Sequence, residues 1–206
     1  MADLFDLLQS QMGENVIGAL AGQLGNAQPK QTSDAVSGAA SILMSALAKN
    51  ARSPEGASAL SAALDRDHDG SILDDVVGFI NGSSSHTNTR AGNGAGILGH
   101  ILGGQQGSAI ESLMKSSGLS KNQSSSLLIK LAPIVLGMLG KQKRSQSLDT
   151  SGIGSILANA AGTAKKRSPA GDLLTSFLDQ DGDGDIKDDA AKIGFSFLKS
   201  LFKGRR

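Results

Sequence analysis

The sequence predicts an all-α fold, a multihelical bundle around buried central helices, and three observations carry that prediction. Apolar residues recur at spacings of three and four, with no stretch of strict alternation. The run over 127–139 is apolar on nearly every face, the pattern of a helix buried in the middle of a bundle. Capping residues stand ahead of the helical stretches: Thr32 or Ser33 before a helix over 34–49, and a capping box, Ser120 with Gln123, before a helix that continues to about 141.

Taken in order, Leu4, Phe5, Leu7 and Leu8 open an amphipathic helix, and 16–24 form a second. The apolar run Ile42-Leu43-Met44-Ser45-Ala46-Leu47-Ala48-Lys49 has a counterpart in Ile134-Val135-Leu136-Gly137-Met138-Leu139-Gly140-Lys141, and Arg52-Ser53-Pro54 has one in Arg167-Ser168-Pro169. These pairs read as a degenerate duplication: a first helical repeat over 1–80, a flexible Gly/Ser/Asn-rich linker over 81–96, and a second repeat over 97–206 ending in a basic tail. Pro133 removes one backbone donor from the long apolar helix and predicts a kink there. Ala and Gly positions along it allow close approach of neighbouring helices.

Each repeat carries an acidic loop, D-x-D-x-D-G-x-I-x-D-D, at 65–75 and again at 179–189. Alternate carboxylates followed by a glycine let a short segment curl several oxygens around a hard cation such as Ca²⁺, which takes six to eight of them. In an EF-hand-like reading, Asp65, Asp67 and Asp69 are ligands one, three and five, Ser71 offers its carbonyl, and Ile72 points into the core. The second loop repeats these roles with Asp179, Asp181, Asp183, Asp185 and Ile186, while Gly70 and Gly184 supply the turn. His68 takes the outward-facing fourth position. The bidentate Glu of the twelfth position is replaced by Val76 and Ala190, which leaves Asp75 and Asp189, one residue earlier, as candidate last ligands. The competing reading is an Asp/Gly-rich surface turn whose Asp74-Asp75 and Asp188-Asp189 pairs complement the N-terminus of a following helix. Those helices place Val76, Phe79 and Ile80 on one face, and Ala190, Ile193, Phe197 and Leu201 on another.

Composition excludes several classes. The chain has no Trp, Tyr or Cys and only six Phe, which nearly excludes aromatic stacking on sugars or bases and removes disulfides, zinc-thiolate sites and thiol catalysis. Eleven of its nineteen acidic residues lie in the two loops, leaving eight elsewhere on a chain with twenty basic residues. Clusters at Lys141-Gln142-Lys143-Arg144, Lys165-Lys166-Arg167 and Lys203-Gly204-Arg205-Arg206 could meet nucleic-acid phosphates or an anionic membrane surface, or serve as solvated helix ends. The start of the chain lacks a basic leader followed by an apolar run, and the apolar stretch 127–140 contains Lys130 and is short for a bilayer. The expected location is cytoplasmic, with signal-less export left open.

The segments Gly96-Ile97-Leu98-Gly99-His100-Ile101-Leu102-Gly103-Gly104, Ser117-Gly118-Leu119-Ser120 and Leu131-Ala132-Pro133-Ile134-Val135-Leu136-Gly137-Met138-Leu139-Gly140 resemble the bacterial YidB-like family, a domain of unknown function. The resemblance covers roughly 1–160 and is strongest over 96–141. It implies a multihelical fold around buried central helices, carries no catalytic residues across, and leaves the acidic loops as additions to that core.

Function narrows accordingly to a calcium-binding helical protein with a structural or interaction role, in which Ca²⁺ orders the loops. An enzyme is not expected: the three histidines, His68, His86 and His100, lack a nucleophile-base-orienter arrangement, and Gly92-Asn93-Gly94-Ala95-Gly96 lacks the preceding strand that a dinucleotide site requires. Binding of nucleic acid or anionic membrane is the alternative, and association with a second copy or a protein partner stays open.

Overall fold

The computed structural model describes residues 4–25 and 27–167, and these are helical with no strand among them. The α-helices are α1 (Leu4–Gln11), α2 (Glu14–Gln23), α3 (Pro29–Asn50), α4 (Pro54–Asp67), α5 (Val76–Asn81), α6 (Gly94–Leu102), α7 (Gln106–Ser117), α8 (Lys121–Ser145) and α9 (Thr150–Arg167), with 3-10 turns at Ser71–Asp75 and Gly103–Gln105. The all-α prediction therefore holds.

The centre is built by α3 and α8. Both are buried around their circumference: Ala35, Ala39, Ile42, Leu43 and Leu47 on α3, and every residue from Leu131 to Gly140 on α8. Small side chains let α3 pack against α9, α8, α7 and α6 together. Two of its three buried hydroxyl residues are satisfied next to or inside the helix, where Thr32 donates to the Gln28 carbonyl at 3.1 Å and Ser41 to the Ser37 carbonyl at 2.8 Å. One hydrophobic cluster extends from Leu4 on α1 to Ala164 on α9.

Helix α8 starts where the capping box places it. The Ser120 N–H donates to Gln123 Oε1 at 2.8 Å, and the Gln123 N–H donates to Ser120 Oγ at 3.4 Å. Gln123 Nε2 also donates to the Leu24 carbonyl at the end of α2. Ser120→Ala is expected to cost about 1 kcal/mol, the usual worth of an N-cap, read as a lower urea midpoint at unchanged slope. An unchanged midpoint would mean that the cap contributes nothing to the folded state. The helix continues through Pro133 to Ser145, longer than the apolar stretch alone. By length and composition it is the one described helix able to cross a membrane, but 72% of its apolar window is buried inside the bundle, as in a core helix. Lys130, on its flank, donates to the Ile80 carbonyl at 2.7 Å, which satisfies an open carbonyl at the end of α5, and burial pushes the Lys130 ammonium pKa down.

Two boundaries differ from the sequence reading. α3 begins at Pro29, five residues before the expected start, because proline at the first helical position has a preset φ and no N–H to leave unpaired. Thr32 and Ser33 thus fall inside its first turns. The Gly/Ser-rich stretch expected to be a flexible linker is a run of hydrogen-bonded turns followed by α6: Ser83 and Ser84 N–H donate to the Gly78 carbonyl, Thr87 to Ser84, Thr89 to His86, and Gly92 to Thr89. A Cβ on Gly94 would run into the Ile129 carbonyl of α8, so glycine there permits a close approach that any side chain would prevent.

Candidate functional site

The first acidic loop joins α4 to α5 and lies on the C-terminal half of α8. Asp65 and Asp67 belong to the last turn of α4, so the incoming helix persists through the third loop position. Gly70 then takes φ +91°, the left-handed conformation expected at the turn, and a 3-10 turn over Ser71–Asp75 leads into α5. Ile72 is buried, as its position predicts.

The seat beneath the loop is made by two glycines of α8. A Cβ on Gly140 would collide with the His68 carbonyl oxygen, and one on Gly137 would come within 2.5 Å of Ile72 Cγ2. Two cations one turn further on complete the seat. Arg144 Nη2 donates to the His68 carbonyl at 3.0 Å, while Lys143 Nζ pairs with Asp65 and donates to the Ser61 carbonyl at 3.3 Å. The Lys143 side chain is only 11% exposed, so it belongs to this contact and not to a solvated basic face. By sequence Lys143 and Arg144 fall in a basic cluster available to phosphates; the structure turns both toward the loop instead.

Each of the four candidate ligand carboxylates, Asp65, Asp67, Asp69 and Asp75, has its own donor. Asp67 Oδ2 accepts from both Arg66 Nε and Nη2 at 2.8 Å. Asp69 Oδ1 accepts from the Ser71 N–H at 2.9 Å and from the Ser71 hydroxyl, and these bonds, the hydroxyl foremost, hold its carboxyl below the usual range. Asp75 Oδ1 accepts from the Gly78 N–H at 2.9 Å and so caps α5, the role the surface-turn reading assigned to it. Among the described residues no three His, Asp or Glu side chains are gathered closely enough to hold a metal ion. The five candidate ligands Asp65, Asp67, Asp69, Ser71 and Asp75 share one loop, and no three of the carboxylates converge in it. The second set, Asp179, Asp181, Asp183, Asp185 and Asp189, lies outside the described residues.

His68 departs from its expected outward position. It is 6% exposed, and burial lowers its pKa against the opposing influence of Asp67. The reason is the seat: docking of the His68 carbonyl on Gly140 and Arg144 brings the residue against the bundle. The sequence signal for this seat was present in the helical spacing of Gly137, Gly140 and Arg144, which share one face of α8.

The family described as "Bacterial protein of unknown function (DUF937)" matches residues 6–142. No curated protein and no solved structure matches the chain. The matched span takes in the first acidic loop and most of α8, and ends before α9.

Proposed function

The chain belongs to the DUF937 family of bacterial proteins of unknown function, and we propose that it is a non-enzymatic, calcium-binding helical protein in which the ion fixes the acidic loops against the bundle. The YidB-like resemblance of 96–141 is read as part of the same membership. The observation that carries the proposal is the loop itself: D-x-D-x-D-G occurs twice, and in the described copy its glycine is left-handed and its Ile72 buried, as a cation-binding turn requires.

Binding requires a local exchange of partners. Lys143 and Arg66 neutralise Asp65 and Asp67, so an incoming Ca²⁺ competes with two cations already in place. That competition and the missing twelfth Glu make these weaker sites than a standard EF-hand. Ca²⁺ is favoured over Mg²⁺ because an irregular Asp-rich loop tolerates long bonds and high coordination, whereas Mg²⁺ demands a near-ideal octahedron. The role is structural: α4 and α5 both contribute to the shared core through Leu64, Phe79 and Ile80, which disfavours the opening of a sensor. No side chain is assigned a catalytic part. The nucleic-acid or membrane alternative takes second place because Lys143 and Arg144 are engaged by the loop.

The test is calorimetric titration of the metal-stripped full chain with Ca²⁺ and Mg²⁺. Two Ca²⁺ sites are expected, one removed by Asp67→Asn and the other by Asp181→Asn. Asp75→Asn should weaken the first site more than Asp74→Asn does, yet leave stability in chelator nearly unchanged, because the amide oxygen can still cap α5. Full stoichiometry in the Asp67→Asn, Asp181→Asn double variant would refute the assignment.

A further inference from the structure

A cleft of about 720 Å³ opens between α4 and α6, with His68 in its lining. Its size is that of small-molecule sites in general. The floor and walls are aliphatic: Leu47 of α3, Leu60 and Ala63 of α4, Ile97 and Ile101 of α6, and Leu136 of α8. The charged lining is mainly cationic, with Lys49, Arg66 and Arg90 against the single carboxylate of Asp67, which Arg66 already engages, and Asn50, Ser53, Asn93, His68 and His100 make up the rest of the polar wall. Among the described residues the side chains of Arg90, which is exposed, and Lys49, which is half-buried, make no hydrogen bond or ion pair within the protein, so two cationic donors at the cleft are open to a ligand.

The geometry points to a binding site for an amphipathic monoanion, an unbranched alkyl chain carrying one anionic head, with Arg90 and Lys49 on the head and the Leu47–Leu136 floor under the chain. The charge pattern selects the head. A guanidinium offers a planar fork that matches a carboxylate, and beside low-dielectric walls such a pairing is stronger than in open water. The apolar lining selects the tail. No Phe lines the cleft, so it offers a base or an aryl ring no aromatic face to stack on, whereas an alkyl chain is matched by the Leu and Ile side chains.

The experiment uses octanoate, decanoate and octanol as probes, titrated into the full chain by calorimetry with chelator present throughout, so that the outcome does not depend on the calcium reading. Decanoate is expected to bind at one site, more tightly than octanoate by about fourfold per added methylene. Octanol, with no charge, should bind on the order of tenfold more weakly than octanoate. Arg90→Ala, at an exposed position where folding is not at stake, should weaken decanoate on the order of tenfold. Ala63→Leu, which fills the cleft without altering charge, should weaken decanoate while leaving octanoate less affected. Equal affinity for octanol and octanoate, or decanoate binding indifferent to both substitutions, would overturn the proposal, as would the absence of decanoate binding.

Discussion

Gly140→Ala is expected to destabilise the protein by about 2 to 4 kcal/mol, although alanine is the better helix former by about 1 kcal/mol in a helix interior. The sign reverses because the new Cβ collides with the His68 carbonyl oxygen, which is backbone and cannot rotate away. The loop must lift from α8, and lifting it breaks the Arg144 to His68 hydrogen bond and draws Ile72 out of its buried position. Gly107→Ala supplies the control. Gly107 lies in the first turn of α7 with nothing within 4 Å of its added Cβ, so there the propensity term acts alone and, reduced from its interior value, should stabilise by up to about 0.5 kcal/mol. Both variants are read by urea unfolding followed by far-ultraviolet circular dichroism, since the chain has no Trp or Tyr to report by fluorescence. A Gly140→Ala protein as stable as the Gly107→Ala protein would show that the acidic loop is not seated on α8.

The sequence is legible where the signal is local and stops where the partners lie far apart along the chain. The central helix could be read because burial on all sides removes the polar face, and 131–140 show that loss directly. The start of α8 could be read because a capping box is local chemistry confined to four residues. The beginning of α3 was misplaced because two local signals competed, and Pro29 at the first helical position prevailed over Thr32 and Ser33 as caps. The stretch 82–93 read as flexible because Gly and Ser look alike in a linker and in a close packing of turns; only the approach of Gly94 to Ile129 separates the two. At the loop, the left-handed glycine and the buried Ile72 follow from the motif alone. The partners do not: Asp65 with Lys143 and His68 with Arg144 are separated by more than seventy residues, and a loop motif carries no information about what lies beneath it.

Calcium is expected to raise the melting temperature, and the size of the rise follows from linkage. An ion bound only by the folded chain adds about 2.7 kcal/mol per independent site at a free concentration one hundred times its dissociation constant. Two occupied loops would add about 5 kcal/mol, or roughly 10 to 20 °C for a chain of this length. Chelation should reverse the shift. Lys143→Met sharpens the test at the first loop. The ammonium is the cation now neutralising Asp65, and its removal leaves the acidic loop less balanced, so in chelator the variant should melt below the parent. With its competitor gone, Ca²⁺ should bind the first loop more tightly and restore more stability than it adds to the parent. Lys143 is thus expected to stand in for the metal, and a deficit in chelator that saturating Ca²⁺ closes is the signature of that substitution. If chelator leaves the parent's melt unchanged while Ca²⁺ is shown to depart, the ion does not hold the loop to the bundle, and the two glycines, Lys143 and Arg144 suffice to seat it.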